Sequence, residues 1–290
     1  MVIPVRNGAR SIPELLRSLD GQTLERDRFE VIVVDNGGGV EDLAQSAGAD
    51  VVMREREPGA SRARNTGWHA ASSELIAFLD DDAVAANDWL QQALRVYNER
   101  NQAVEAMGGP ALPLWDTPPP GWFPESLEDR WFGDAERALT PGESLSALNV
   151  FFRRDVLERL DGFNVRLGPI GGRIGVGEEP DLFLRMWNDN PHSLAVYSPS
   201  IVVRHAVPEY KLSVRYQLRR AAAYGESVII QQKIPRAHRP HMAREYLQDV
   251  LRLTRVAVRR VRRPLRRWAL EELEPAAVRF GMLRAVLTGK

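Results

Sequence analysis

An α/β architecture with a doubly wound, mostly parallel sheet follows from three features of the sequence. Short apolar runs alternate with segments of helical spacing, the order that builds parallel sheets covered by helices. The runs are continuous, as strands buried on both faces require. Two of them close on acids, Val33-Val34-Asp35 and Phe78-Leu79-Asp80-Asp81-Asp82, at the carboxyl ends where such sheets collect ligands. A chain of 290 residues, 44% of them apolar, has material for one large domain or two small ones.

Each element has its own signal. Val2-Ile3-Pro4-Val5 reads as a strand, residues 12–19 as a helix, and residues 30–35 as a second strand closed by Asn36-Gly37-Gly38-Gly39. A helix over 40–47, a strand over 51–53 and a helix over 61–71 lead to the strand 75–79, and a helix follows over 87–98. Met107-Gly108-Gly109-Pro110 then opens a stretch rich in proline and tryptophan, with Trp115, Trp122 and Trp131. It is expected as an irregular loop whose aromatics either pack over the sheet or form a wall for a sugar. Residues 149–152 read as a strand, 155–160 as a helix, and 166–177 as a glycine-rich loop. Pro180 suits a first helical turn, and the helix runs on to residue 187. Strands over 193–198 and 201–205 precede helical periodicity over 212–232 and 244–261.

Composition removes several classes of function. With no cysteine there is neither a disulfide framework nor a thiolate zinc site, so any metal must use oxygen or imidazole. No basic-then-apolar leader and no apolar run of roughly 20 residues stands in the sequence, which leads us to expect a cytoplasmic protein. The net charge of zero hides an asymmetry: Lys233 to Arg267 holds twelve Lys/Arg against Glu245 and Asp249, leaving 27 bases (39 − 12) and 37 acids (39 − 2) elsewhere. That stretch reads either as a solvated helix face or as a peripheral contact with anionic membrane. Nucleic acid is not expected, because no aromatic stacking platform is interleaved with the bases.

The acid triplet carries the first functional expectation. On an extended chain side chains alternate, so Asp80 and Asp82 would share one face and hold a hard divalent cation, with a metal diphosphate as cargo. An acidic turn or helix cap is the plain structural alternative.

Six further motifs accompany it: Ile3-Pro4-Val5-Arg6-Asn7, Val33-Val34-Asp35-Asn36-Gly37, Ser61-Arg62-Ala63-Arg64-Asn65-Thr66-Gly67, Gly162-Phe163, Gly177-Glu178-Glu179-Pro180-Asp181-Leu182 and Arg204-His205. In this order the set resembles family 2 glycosyltransferases of the GT-A fold, over about residues 2 to 230. The resemblance implies a catalytic domain over 1–210, with a nucleotide-binding half (1–106) and an acceptor-binding half (107–210), followed by a helical, basic region over 211–290. It implies a nucleotide-sugar donor, with a UDP-sugar as the default, a divalent metal (Mn or Mg), and a carbohydrate, lipid-linked or small-molecule acceptor. Pro4, Val5, Arg6 and Asp35 correspond to the grip on base and ribose, Asp80 and Asp81 to the ribose side of the acid motif, and Arg64 to an arginine near the diphosphate. Asp82 corresponds to the first metal ligand, with Asp80 and His205 as further ligands.

Direct displacement with inversion needs a base opposite the leaving group. Glu179 matches the family's base position but carries one methylene more than the usual aspartate, so Glu178 and Asp181 stay open as alternatives. The segment Gly168–Arg173 is expected to be a mobile lid. A sugar-nucleotide nucleotidyltransferase fits less well, because Pro4 to Arg10 has one glycine and no lysine to cradle a triphosphate. A non-catalytic glycan- or membrane-binding module fits less well because the acids are intact.

Overall fold

The computed structural model describes residues 1–6, 11–232, 236–262 and 264–290. Asn7 of the first motif, the glycine and arginine that follow it, and Lys233 and Arg263 of the basic stretch lie outside the described residues, as do the side chains of Ser46 and Arg236. The chain divides into two compact units: residues 1–114, 126–165 and 178–206 form one, and residues 115–125, 166–177 and 207–290 the other. The second unit takes in the helices that follow residue 206. The tryptophan-rich segment 115–125 and the glycine-rich segment 166–177 nonetheless group with the C-terminal unit.

In the first unit β1 (Val2–Val5), α1 (Ile12–Asp20), β2 (Ile32–Asp35), α2 (Glu41–Ser46), β3 (Val51–Arg54), α3 (Ala60–Ala70) and β4 (Leu75–Phe78) follow the expected alternation. After β5 (Ala83–Ala85) come α4 (Trp89–Glu99), β6 (Ala106–Gly108), β7 (Ala111–Trp115), β8 (Arg137–Ala138), β9 (Val150–Arg153), α5 (Arg154–Leu160), α6 (Glu178–Asp189), β10 (Ala195–Tyr197) and β11 (Val203–Val207). Among the described residues the main sheet runs β3-β2-β1-β4-β9-β6-β10-β8, and β5-β11-β7 form a smaller one. The first four strands pair in parallel; β9 is antiparallel to both β4 and β6, β10 is parallel to β6, and β8 antiparallel to β10.

The strands are hydrophobic on both faces, and the pleat sorts them. Ile3, Val5, Val33 and Leu79 join Leu15, Leu19, Trp89 and Val96 from α1 and α4 in one core. Val2, Val34 and Phe78 join Ala63, Leu157 and Phe183 from α3, α5 and α6 in the other. The sheet is thus covered on both sides, as its continuous apolar runs require. Gly67 lets α3 lie close on β1, because a Cβ there would overlap the Val2 side chain.

Strands β5, β6, β7 and β8 escaped the sequence pattern. Each is short, and β6 and β7 carry glycine or proline; pairing, not propensity, makes them strands. Pro113 within β7 is tolerated because β7 is an edge of the smaller sheet.

The C-terminal unit contains α7 (Val214–Gln232), α8 (Arg239–Arg259) and α9 (Leu265–Thr288). Helix α8 starts five residues earlier than its periodicity indicates, with Pro240 in its first turn. Helix α9 went unrecognised as a separate element because Pro275 stands inside it. The tryptophan-rich segment packs Trp115 and Trp122 edge-on against Phe123, and Arg266 lies over the Trp122 ring at 5.5 Å. Trp122 also lines a groove of about 770 Å³ with Leu212, Leu265 and Trp268, while Trp131 belongs to the first unit and is exposed. The glycine-rich segment is a tight turn, with Gly171 and Gly172 at φ 59° and 81° and the Arg173 N–H donating to the Ile170 carbonyl at 2.9 Å.

Helices α7 and α9 cross at small residues: a Cβ on Gly281 would overlap the Ala222 carbonyl oxygen, and one on Gly225 the Val278 carbonyl. Alanine at 281 would gain up to about 1 kcal/mol in helix propensity, but the backbone it meets cannot rotate away. Gly281→Ala is expected to destabilise the C-terminal helices by about 1–3 kcal/mol, read as a lowered urea midpoint.

Candidate active site

Strands β1 and β2 end together, with Val5 registered on Asp35, and the chain that leaves β4 at Phe78, opposite Val2, brings Asp81 to the Arg6 N–H at the end of β1. Asp35 is fully buried, and its Oδ1 accepts from the N–H groups of Gly37 (3.0 Å) and Gly38 (2.6 Å). It thereby builds the turn after β2. Its Oδ2 is buried with no hydrogen bond among the described residues, 3.7 Å from an Arg54 nitrogen. Asn36 fixes the same mouth, donating to the carbonyls of Glu55 and Glu57 and accepting from the Gly59 N–H.

The acid triplet is not extended. Strand β4 ends at Phe78, and the Ala83 N–H donates to the Asp80 carbonyl at 3.2 Å, closing a turn over residues 80–83. The alternation that would pair Asp80 with Asp82 on one strand face therefore does not hold. Asp80 Oδ1 accepts from Arg64 at 2.8 Å, Asp81 Oδ2 accepts from the Arg6 N–H at 3.3 Å, and the Asp82 carbonyl accepts from the Ala206 N–H at 2.9 Å. Burial, reinforced by the Asp82 and Asp80 carboxylates, pushes Asp81 up to about 7.

Arg64 joins this turn to α6. Only 3% exposed, it donates through one terminal nitrogen to Asp80 and through the other to Glu178 Oε1 at 3.2 Å, with its guanidinium 5.6 Å from the centre of the Phe163 ring. Burial alone would lower its pKa, but Asp80, Glu178 and Glu179 hold it raised. Glu178 is 4% exposed, and burial with the adjacent Glu179 charge pushes it up to about 8 against the pull of Arg64.

The three candidate bases are thereby separated. Glu178 is buried, paired and held toward its neutral form. Asp181 is buried and bonded at 2.8 Å to Arg185, whose other nitrogens donate to the carbonyls of Leu160 and Gly162. Glu179 is half-buried, and its Oε1 accepts from the Ala147 N–H at 2.9 Å.

Positioning residues emerge that the motifs alone did not assign. The Asn65 side chain donates to the Phe163 carbonyl at 2.8 Å and accepts from the Phe163 N–H at 2.9 Å, imitating a strand partner. Gly162 has φ 59°, and a Cβ there would overlap Asn65 and Trp68. Asn65 and Phe163 both stood in recognised motifs, but their pairing across 98 residues has no sequence signal.

His205 is buried, registered opposite Ala83, with Nε2 3.0 Å from the Glu128 carbonyl, so Nδ1 is the nitrogen left to a metal. Among the described residues no three His, Asp or Glu side chains form a ready metal cluster. The donor set nevertheless suits a hard cation of the magnesium type, which takes one or two carboxylates and completes its shell with phosphate and water. Three successive carboxylates crowd one turn, only Oδ1 of Asp80 is bonded to Arg64, and burial together with the crowding holds Asp81 toward protonation. A divalent cation would relieve that repulsion.

The family model for glycosyl transferase family 2 matches residues 1–134. The chain is 26% identical over 204 residues to the glucosyl-dolichyl phosphate glucuronosyltransferase of Haloferax volcanii, covering 68% of this chain and 60% of the relative's length. It is 29% identical over 230 residues to the succinoglycan biosynthesis protein ExoM of Rhizobium meliloti, covering 74% of this chain and 69% of that protein. Its fold is similar to that of the mannosyltransferase PcManGT from Pyrobaculum calidifontis, solved with GDP-Man and Mn2+, with a TM-score of 0.63, 20% identity, and coverage of 97% of this chain and 86% of that one. The fold is GT-A, and the match to glycosyl transferase family 2 lies in residues 1–134.

The Asn65 latch gives a stability prediction. Asn65→Ala leaves the buried Phe163 backbone without its partner and is expected to cost about 1–3 kcal/mol in urea unfolding.

Proposed function

We propose that this chain transfers a sugar from a nucleotide-sugar donor to a carbohydrate or lipid-linked acceptor, with inversion by direct displacement. The reading is carried by the Arg64 fork, which fixes the acid turn after β4 and the acidic start of α6 as one constellation. The mouths of β1 and β2, with Pro4, Val5, Arg6 and the buried Asp35, receive the base and ribose, and Asp80 stands on the ribose side. Arg64 faces the diphosphate with a charge that its acidic neighbours keep on. Asp82 and Asp80 would hold the divalent cation, with His205 Nδ1 as a further donor; when bound it offsets the charge that develops on the departing nucleoside diphosphate.

Glu179 is the base. As the acceptor oxygen bonds to the anomeric carbon, the bond to the diphosphate oxygen breaks and the acceptor proton passes to Glu179. Its half-exposed position and its single anchored oxygen support this role, while the pairings of Glu178 and Asp181 favour structural ones. A lipid-linked acceptor is favoured by the Haloferax volcanii relative, whose name specifies a dolichyl phosphate.

A panel of UDP-, GDP- and dTDP-sugars, scored for donor hydrolysis with Mn or Mg, tests the reaction; hydrolysis of none of them, with retained glycan binding, would leave a binding module instead. Asp82→Ala is expected to remove the metal dependence of nucleoside diphosphate affinity in calorimetry, and equal affinity with and without Mn in both proteins would count against a metal diphosphate. Glu179→Gln should lower turnover about 10²–10⁴-fold with unchanged nucleotide affinity. Collapse in Glu178→Gln or Asp181→Asn, with Glu179→Gln near normal, would move the base to that neighbour.

A further inference from the structure

The outward face of α8 has no packing function among the described residues. Its inward face does: Met242, Ala243 and Tyr246 pack with Ile229, Ala285 and Val286 of α7 and α9, Ala257 is fully buried, and Trp268 of α9 donates its ring N–H to the Ala257 carbonyl. Helical spacing places a second set on the opposite side, with Leu247, Leu251 and Val258 on one edge of a stripe and Arg244, Arg255 and Arg259 along its middle and other edge. Leu251 is 50% exposed and Val258 60%. Past the helix, Val261 and Leu265 at the start of α9 are also more than half exposed.

The arginines divide as well. Arg252 pairs with Asp249, Arg260 with Glu272, and Arg262 and Arg267 with Glu271. Arg244, Arg255 and Arg259 are exposed and make no ion pair among the described residues. The acids nearest this helix do not cancel them: Asp249 is taken by Arg252 and Arg279, and Glu245 lies 3.7 Å from His241.

We propose that this face of α8, with Leu265 of α9, docks on an anionic lipid bilayer. Aliphatic side chains beside unpaired arginines match the interface of such a surface, where apolar groups enter below the phosphates and guanidinium groups meet them. A second copy of the chain would bring like-charged arginines together, and a nucleic acid would leave the aliphatic edge without a partner. No described helix is long and apolar enough to cross a membrane, so the contact is one of lying on it. Tyr246, Val250, Leu253 and Trp268 take no part in this face, since they are half-buried or packed inward.

Cosedimentation of the full chain with phosphatidylcholine vesicles, with and without phosphatidylglycerol, tests the proposal. The expected result is binding only to the anionic vesicles, weakening as salt rises. Arg255→Gln with Arg259→Gln should weaken it at least about tenfold, and Leu251→Ser with Val258→Ser should also weaken it. Both double variants should keep the wild-type melting midpoint, which separates lost docking from lost folding. Equal binding to both vesicle types, no binding to either, unaltered binding in both variants, capture of a DNA or RNA duplex without vesicle binding, or an α8-dependent dimer in sedimentation velocity would each overturn it.

Discussion

A guanidinium almost wholly out of water, held between Asp80 and Glu178, is the interaction on which the site depends. Burying an arginine is costly unless its charge is matched and its donors are used. Here the two terminal nitrogens reach acids from segments far apart in sequence: the turn after β4 and the first residue of α6. Helix α3 supplies Arg64 itself and, one residue later, Asn65, which ties down Gly162-Phe163 beneath the guanidinium. Removing the arginine would leave buried Glu178 and Asp80 Oδ1 without the donors they now share, so the arrangement is fixed by what its absence would expose.

The fork also partitions three neighbouring acids into different states. Glu178 is shielded from solvent and pushed toward its neutral form, Asp181 accepts from Arg185, whose other nitrogens hold the Leu160 and Gly162 carbonyls, and Glu179 keeps access to solvent with one oxygen anchored on the Ala147 N–H. Chemically similar carboxylates within four residues thus acquire distinct capacities through burial and partner alone. The same holds in the turn after β4, where Asp80 is paired, Asp81 is held toward protonation by burial and by its neighbours, and Asp82 is tied to β11 through its backbone.

The C-terminal unit follows a different logic. Its helices are held by backbone proximity at Gly225 and Gly281, which leaves little room for large side chains between α7 and α9. Helix α8 then packs by one face and carries a second apolar edge outward, and that surplus distinguishes it from an ordinary solvated helix.

The sequence by itself determined the alternation of strands and helices, the acids at the strand ends and the family motifs, because these depend on local periodicity and on residues close together in the chain. It could not show that Asp80 to Ala83 forms a turn and not an extended segment, since four residues after a strand satisfy either geometry until β11 pairs with β5. Nor could it show that β9 enters the sheet antiparallel between β4 and β6, that Asn65 pairs with Phe163, or that Arg64 chooses Asp80 and Glu178. Those are contacts between residues up to 114 apart, decided by how the helices pack on the sheet. In α8 the sequence contained both apolar stripes, and only the position of α9 decided which was core and which was left at the surface.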